Sequence, residues 1–364
     1  MTLLQQVIAE LERVAPPAYQ EDYDNSGLLC GSGQIEVLGV LVSLDCTEAV
    51  VDEAIAKNCN VIVAHHPLIF GGLKKLSGDG YVQKALVKAI KNDIAIYACH
   101  TNIDNVESGV NAKIAAKLGL KNCKILSPKK GLLRKLVTYV PLSHHQAVLD
   151  ALFAVGAGTI GNYSHCSFNT QGKGTFKGNE KSTPFIGTAG VLSNEDEIKI
   201  ETIFAASDER KVLMALFNSH PYEEVAYDIY SLENEWASVG SGMIGELPVS
   251  TDELSFLQQV KRCFNADVLK YTPNGKPIKK VAICGGSGRF LLNKAVSSGA
   301  DAFITADFKY HEYFDALGRI LLIDTGHFEN EQFTPEIFSE IILNKFSTFA
   351  VRLSEINTNP VKYF

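Results

Sequence analysis

Three short segments concentrate the side chains able to hold a metal ion or move a proton. His65 and His66 stand in AHHP, directly behind the apolar run VIVA (61–64). His100 and Asp104 stand in HTNID behind IAIYAC (94–99), and His327 and Glu331 stand in TGHFENE behind ILLID (320–324). Imidazole and carboxylate together suit borderline divalent ions such as Zn, Fe or Mn. Adjacent His65 and His66 point in different directions on an extended chain, which suits two neighbouring ions better than one. His327 and Glu331 are four apart, so a helix beginning there turns both to one side. His65, His66, Asp104, His327 and Glu331 around two ions would leave positions open for water, the arrangement of two-metal hydrolysis.

Taken singly, each segment has a plainer reading. A His-His pair often makes ordinary polar contacts, and H-x-x-x-E occurs on solvated helix faces. Asp104 stands where it could cap the helix read over 108–119. What favours a metal centre is shared placement. Each segment starts where an apolar strand ends, the edge at which open α/β sheets bind ligands. His100 stays open between a residue that orients a ligand and one that touches substrate. CGGSGRF (284–290) follows VAIC and matches neither the P-loop nor G-x-G-x-x-G. Its Gly285, Gly286, Ser287 and Gly288 either offer amides to an anion or make a tight strand-to-helix turn. TADFKYHE (305–312) adds Asp307, Lys309 and His311 at the next strand end, with His311 alternatively on a helix surface.

The elements that must position these residues alternate. Strand-like 36–44, 61–64 and 94–99 are separated by helix-like 47–58 and 81–92, and helix-like 108–119 follows. The alternation resumes with VAIC (281–284), AFIT (302–305), helix 309–317, ILLID and helix 331–346. Short all-apolar strands between helices imply sheet covered on both faces, an α/β domain formed by the two ends of the chain. Between them the pattern changes. Strand 131–140, helix 143–155, turn-rich strands, strand 197–205, helix 207–218 and strand 225–232 follow the β-α-β-β-α-β order of ferredoxin-like α+β folds. This places an α/β domain at 1–125 and 236–364, interrupted by an inserted α+β domain at 126–235.

Composition narrows the function classes. With 34 Lys and Arg against 41 Asp and Glu, the net charge of −7 counts against a protein that neutralises a phosphate backbone. The basic stretch 121–135 reads as a solvated connector, not a nucleic-acid patch. The first residues form an amphipathic helix with Glu10, Glu12 and Arg13, not a secretory signal, and no apolar run is long enough to span a membrane. Eight scattered cysteines without a C-x-x-C pair fit reduced thiols in the cytoplasm.

AHHP, HTNID, GGSG, GADAFITADFKYHE and DTGHFENE, in that order, resemble the NIF-three-like family of GTP cyclohydrolase I type 2 homologues. DNSGLLCG (24–31), GAGTIGNYSHCSF and SHPYEEVAYDIY extend the resemblance over nearly the whole chain. It implies two divalent ions per chain (Zn, Fe or Mn) held by His65, His66, Asp104, His327 and Glu331, with Glu331 or Asp104 bridging. It further implies a homohexamer and a PII-like (CutA-like) insert. One departure stands out: Thr305-Ala306-Asp307 lies where family members commonly carry glycine-aspartate.

Two functions stay open on this reading. In one, the protein is a metal-dependent hydrolase of a small, phosphorylated or nucleotide-like molecule, with GTP ring opening implied by the resemblance alone. His100 or His311 would then shuttle protons and Gly285 to Gly288 would hold phosphate. In the other, it is a non-catalytic metal-binding or regulatory scaffold with a ligand-sensing insert. An open coordination position discriminates between them.

Overall fold

The computed structural model describes all 364 residues. The chain divides into two compact units, Met1–Pro128 with Ser238–Phe364, and Lys129–Ala237. No helix is long and apolar enough to cross a membrane.

The first unit is α/β and contains two sheets. One has five strands in the order Gly27–Cys30, Ala95–Ala98, Val61–Ala64, Gly39–Ser43 and Ala350–Leu353. All its neighbours pair in parallel except Gly27–Cys30, which runs antiparallel along its edge. The other sheet has six strands in the order Lys270–Thr272, Leu321–Asp324, Ala302–Ala306, Ile278–Ser287, Trp236–Thr251 and Lys121–Lys129. Leu321–Asp324, Ala302–Ala306 and Ile278–Ser287 run parallel, and Trp236–Thr251 pairs antiparallel with the last of these. Every residue of the strands Val61–Ala64, Ala95–Ala98 and Leu321–Asp324 is buried, as unbroken apolar runs require when both faces are covered. The helices Glu48–Ala56 and Tyr81–Lys91 supply one cover, packing Val50, Ala54, Ala85 and Ala89 onto Leu41, Ile62 and Ile96.

The second unit follows the β-α-β-β-α-β order. Its strands Leu133–Pro141, Ser167–Phe176, Ser193–Ala205 and Tyr227–Leu232 lie in the spatial order second, third, first, fourth. All pair antiparallel. The helices His145–Ala154 and Glu209–Ser219 cover one face. Val148, Leu152, Val212 and Leu216 there meet Leu136, Val140, Ile200 and Phe204.

Several expectations are corrected. The segment 309–317 is a six-residue 3-10 helix, Tyr310–Asp315, with the Lys309 amide donating to Glu312 and Gly318 in the left-handed region behind it. The helix expected at 331–346 is two pieces, His327–Glu331 and Thr334–Lys345, because Pro335 has no N–H and starts a new helix rather than continuing one. The basic stretch 121–135 is not a connector: Lys121–Lys129 is a strand of the six-stranded sheet, and Leu133 opens the next strand. Helix Val110–Leu118 is capped by Gly109, so Asp104 is not its cap.

Candidate metal centre

Five parallel strands deliver the site at their carboxyl ends. Asp45 follows Gly39–Ser43, His65 and His66 follow Val61–Ala64, and His100 to Asp104 follow Ala95–Ala98. From the other sheet, Asp307 follows Ala302–Ala306, and His327 to Glu331 follow Leu321–Asp324. The backbone ladders extend into the ligand segment: the His66 amide donates to the Leu44 carbonyl at 2.9 Å and the Cys99 amide to the Ala64 carbonyl at 3.0 Å. The site is therefore carried on sheet and not on free loop.

Each imidazole is aimed by a partner on its Nδ1. His65 donates Nδ1–H to the Cys99 carbonyl at 3.0 Å, His66 pairs with Asp45 at 2.8 Å, and His327 pairs with Asp307 at 2.6 Å. Their Nε2 atoms turn inward onto one carboxylate. His66 and His327 stand 2.9 and 3.1 Å from Glu331 Oε2, and His65 stands 3.6 Å from Glu331 Oε1. Asp104 closes the other side, 3.7 Å from His65 Nε2. His65 Nε2 and Asp104 Oδ1 are both buried without a hydrogen-bond partner. Two such orphans facing each other are costly unless something binds between them.

The ligand atoms fall into overlapping groups, each within 4.8 Å: His66, His327 and Glu331; His65, Asp104 and Glu331; and His65, His66 and His100. These buried His and Glu groups could hold a metal ion, and the carboxylate–imidazole pairs are the arrangement that orients metal-bound histidines. The structure therefore brings His65, His66, Asp104, His327 and Glu331 together and places His100 beside them. His100 Nδ1 is held 2.7 Å from Asp24, and its ring stands edge-on to those of His65 and His66. His311 is not brought in: it is exposed, with its ring against Tyr310 and Phe314.

The electrostatics follow from burial and crowding. Burial lowers His65 to about 4, leaving it neutral and able to ligate. For His66, burial works downward, but the hydrogen bonds to Asp45 and Glu331 outweigh it and raise it to about 9. His327 is lifted the same way by Asp307 and Glu331 against burial, to about 11. Burial, then the nearby Glu331, raises Asp104. Burial also acts upward on Glu331, but the surrounding imidazoles hold it well below the usual carboxylate range. A cluster of this kind attracts positive charge, and a metal ion held there would have to displace the protons on His66 and His327.

The glycine segment takes a different part from an anion cradle. The Gly285 amide donates to Asn111 Oδ1 and the Gly288 amide to Thr305 Oγ1, and Ser287 pairs with Ala306 in the sheet, so these amides are not set out for an anion. Gly286 sits at φ 61°, and a Cβ there would overlap the Glu331 carboxylate. Its lack of a side chain makes room for the ligand.

Residues 2–360 match the family described as Duf34/NIF3 (NGG1p interacting factor 3). The chain belongs to the NIF3 family. It is 40% identical over 365 residues to a Halalkalibacterium halodurans protein named GTP cyclohydrolase 1 type 2 homolog, covering 99% of this chain and 98% of that one. A Bacillus subtilis protein of the same name is 38% identical over 366 residues, with the same coverage. The crystal structure of a Bacillus cereus protein related to NIF3 matches with a TM-score of 0.86 at 39% identity, covering 100% of this chain and 99% of that one.

Two members of this NIF3 centre escaped the sequence reading. Asp45 lay within reach of it, since it directly follows the strand-like 36–44 and obeys the same strand-end rule as the histidines. Asp24 precedes its strand and meets HTNID only in three dimensions, where it accepts from the Thr101 amide and hydroxyl as well as facing His100. Asp307, noted only as a residue of the cleft, orients His327 and sits in the left-handed region at φ 63°, which Asp tolerates better than most side chains.

Proposed function

We propose that this NIF3-family chain is a dinuclear, metal-dependent hydrolase of a small nucleotide-like molecule. The observation that carries the reading is Glu331, which turns Oε2 to His66 and His327 and Oε1 to His65 while His65 Nε2 and Asp104 Oδ1 lie buried and unpartnered. In this reading His66, His327 and Glu331 would hold one ion and His65, Asp104 and Glu331 the second, so that Glu331 would serve both. Divalent ions of the Zn, Fe or Mn class held there supply Lewis acidity that makes hydroxide available at neutral pH.

The chain's own residues supply positioning and proton transfer. His100 has one ring nitrogen fixed by Asp24, which leaves its other nitrogen to carry a proton at the edge of the cluster. A cleft beside it is lined by Tyr23, Phe290 and the Gly285–Ser287 backbone, and Phe70 stands edge-on to His100. Tyr23, Phe70 and Phe290 are all more than half exposed, an arrangement suited to gripping a planar ring. His311 has no part in this mechanism. GTP as the substrate follows from the names of the relatives, and the cytoplasmic homohexamer follows from the family resemblance.

Purified protein reloaded separately with Zn, Mn and Fe(II) tests the reading through formate release from GTP, beside a His327→Ala variant. Formate released by the parent and lost in the variant is the expected result. Two ions bound per chain with no formate under any metal would overturn the GTP assignment and favour the scaffold.

A further inference from the structure

The inserted unit carries a cavity of about 690 Å³ that the metal centre does not use. It lies on the sheet face turned away from the unit's two helices. Alternation puts Val140, Ile200 and Phe204 on the helix side, so Tyr139, Glu197 and Lys199 face the other way. Gly172, directly opposite Glu197 on the neighbouring strand, shares that face with Gly174 and Phe176. The segment after Phe176 folds over it and brings Phe185 to the wall.

Glu197 is an unusual floor for such a cavity. It is only 7% exposed, and Tyr222 donates its hydroxyl to Oε1 at 2.9 Å. No cationic side chain pairs with it. Of the three lysines at the rim, Lys173 pairs with Asp196 at 2.9 Å and Lys199 with Glu201 at 3.3 Å, while Lys177 stands exposed and away from the floor. A side chain at Gly174 would overlap the carboxylate, so bare backbone leaves its place free. Tyr222 is fixed in turn by His220, which accepts from the Tyr222 amide at 3.1 Å and donates to the Tyr139 carbonyl at 2.9 Å. The rings of Phe176 and Phe185 stand 5.7 and 6.4 Å from that of Tyr222.

We propose that this cavity is a binding site for an organic cation, an amine on an aromatic or alkyl body, with the ammonium group directed at Glu197. A nearly buried carboxylate without a counter-ion is costly, and a ligand cation removes that cost. Three aromatic rings around it add cation–π attraction and apolar contact for the body. The volume is that of a small-molecule site. An anionic ligand finds no free cation at the floor. The site shares no residue with the metal centre, so its test does not depend on the hydrolase reading.

Calorimetry and saturation-transfer NMR on the full chain, with phenethylammonium as probe, test this directly. 2-Phenylethanol and 3-phenylpropanoate serve as neutral and anionic matches of similar shape. The amine is expected to bind saturably at one per chain and at least about tenfold more tightly than either match, a difference of about 1.4 kcal/mol. Glu197→Gln, which keeps an acceptor for Tyr222, is expected to abolish that preference. Phe185→Ala, on an exposed segment, is expected to weaken the amine severalfold and keeps the proposal testable should the Glu197 variant fail to fold. Absence of saturable amine binding at millimolar concentration overturns the proposal. So does equal binding of the propanoate, or amine affinity unchanged in either variant.

Discussion

The two units bury carboxylates in opposite ways. The α/β unit surrounds Glu331 with three imidazoles, each aimed by a fixed partner, and leaves a second carboxylate, Asp104, facing an unpartnered nitrogen. The inserted unit gives Glu197 one hydroxyl and aromatic walls. Charge alone does not separate the two, since each presents negative charge in a dry place. What separates them is convergence. Several directed lone pairs within a few ångströms define a coordination shell, whereas one carboxylate among rings defines a pocket for a larger, softer cation.

Removing the shared carboxylate should break the comparison most strongly. Glu331→Gln keeps the shape but takes away the charge that faces both ligand groups. Metal content per chain should fall to background, with affinity lowered by more than about a hundredfold, beyond the usual effect of an outer partner. Elemental analysis of the dialysed variant reads this out. Retention of two ions would show that Glu331 does not bridge. Gly286→Ala acts on the same carboxylate from the backbone side, through overlap and a left-handed φ, and should lower affinity without changing any ligand.

The residues that orient the histidines come next. Asp45→Asn and Asp307→Asn each leave a ligand in place but free its ring. Each should weaken metal binding by about ten- to a hundredfold. Asp24→Asn should leave metal content intact and depress turnover, because His100 stands at the edge of the cluster. Metal titrations set against formate release separate these outcomes. Loss of metal in the Asp24 variant would move His100 from proton carrier to ligand.

The split between ligands and orienting residues is also the split between what the sequence discloses and what it conceals. His65, His66, Asp104, His327 and Glu331 stand out because each follows an apolar strand, and strand ends in an α/β fold meet on one edge. Asp24 carries no such mark. Its role arises from tertiary contact with Thr101 and His100, which local pattern does not encode. The glycines of GGSG suggested an anion cradle, yet Gly286 and Gly288 are constrained by Glu331 and Thr305, neighbours 45 and 17 residues away. The 3-10 helix Tyr310–Asp315 and the break before Thr334 were read as longer α-helices because apolar spacing does not register a proline at a helix start or a six-residue turn. The inserted unit's strand order followed from element order alone, but the burial of Glu197 did not. A lone glutamate on a strand resembles any solvated residue until the segment after Phe176 folds over it.

Proton binding gives a smaller effect whose sign differs between the carboxylate-paired His66 and His327 and the histidines lowered by burial, His65 beside them and His220 in the inserted unit. In metal-free protein His66 and His327 are raised to about 9 and about 11, above the unfolded value of about 6.5. Their contribution is full below about pH 6.5 and is lost as pH rises through about 9 and 11. His220 in the inserted unit is lowered by burial, so its contribution is full above about 6.5 and is lost as pH falls. Ring-proton NMR of the metal-free chain should find His327 protonated at pH 8 and His220 titrating below the ordinary histidine value. Urea midpoints should fall from pH 7 to 10 in metal-free protein more steeply than in metal-loaded protein. Titration of all three rings near 6.5 would remove the electrostatic part of the contrast.

The smallest expected effect lies at the chain's end. Thr358 donates its hydroxyl to Asp45 Oδ2, while Asp45 Oδ1 holds His66. Thr358→Val keeps the shape and removes only that donor, which is worth about 1.5–3 kcal/mol when the acceptor is charged. If the hydrogen bond serves merely to anchor the terminal segment, the variant melts slightly lower and binds metal normally. If it aligns Asp45, metal affinity falls severalfold, in the direction of Asp45→Asn but less far. No residue of the inserted cavity touches this chain of contacts, so amine binding at Glu197 should be unchanged in the same variant. A shift in both would mean that the two buried carboxylates are coupled, and the contrast between them would then have to be drawn as one system.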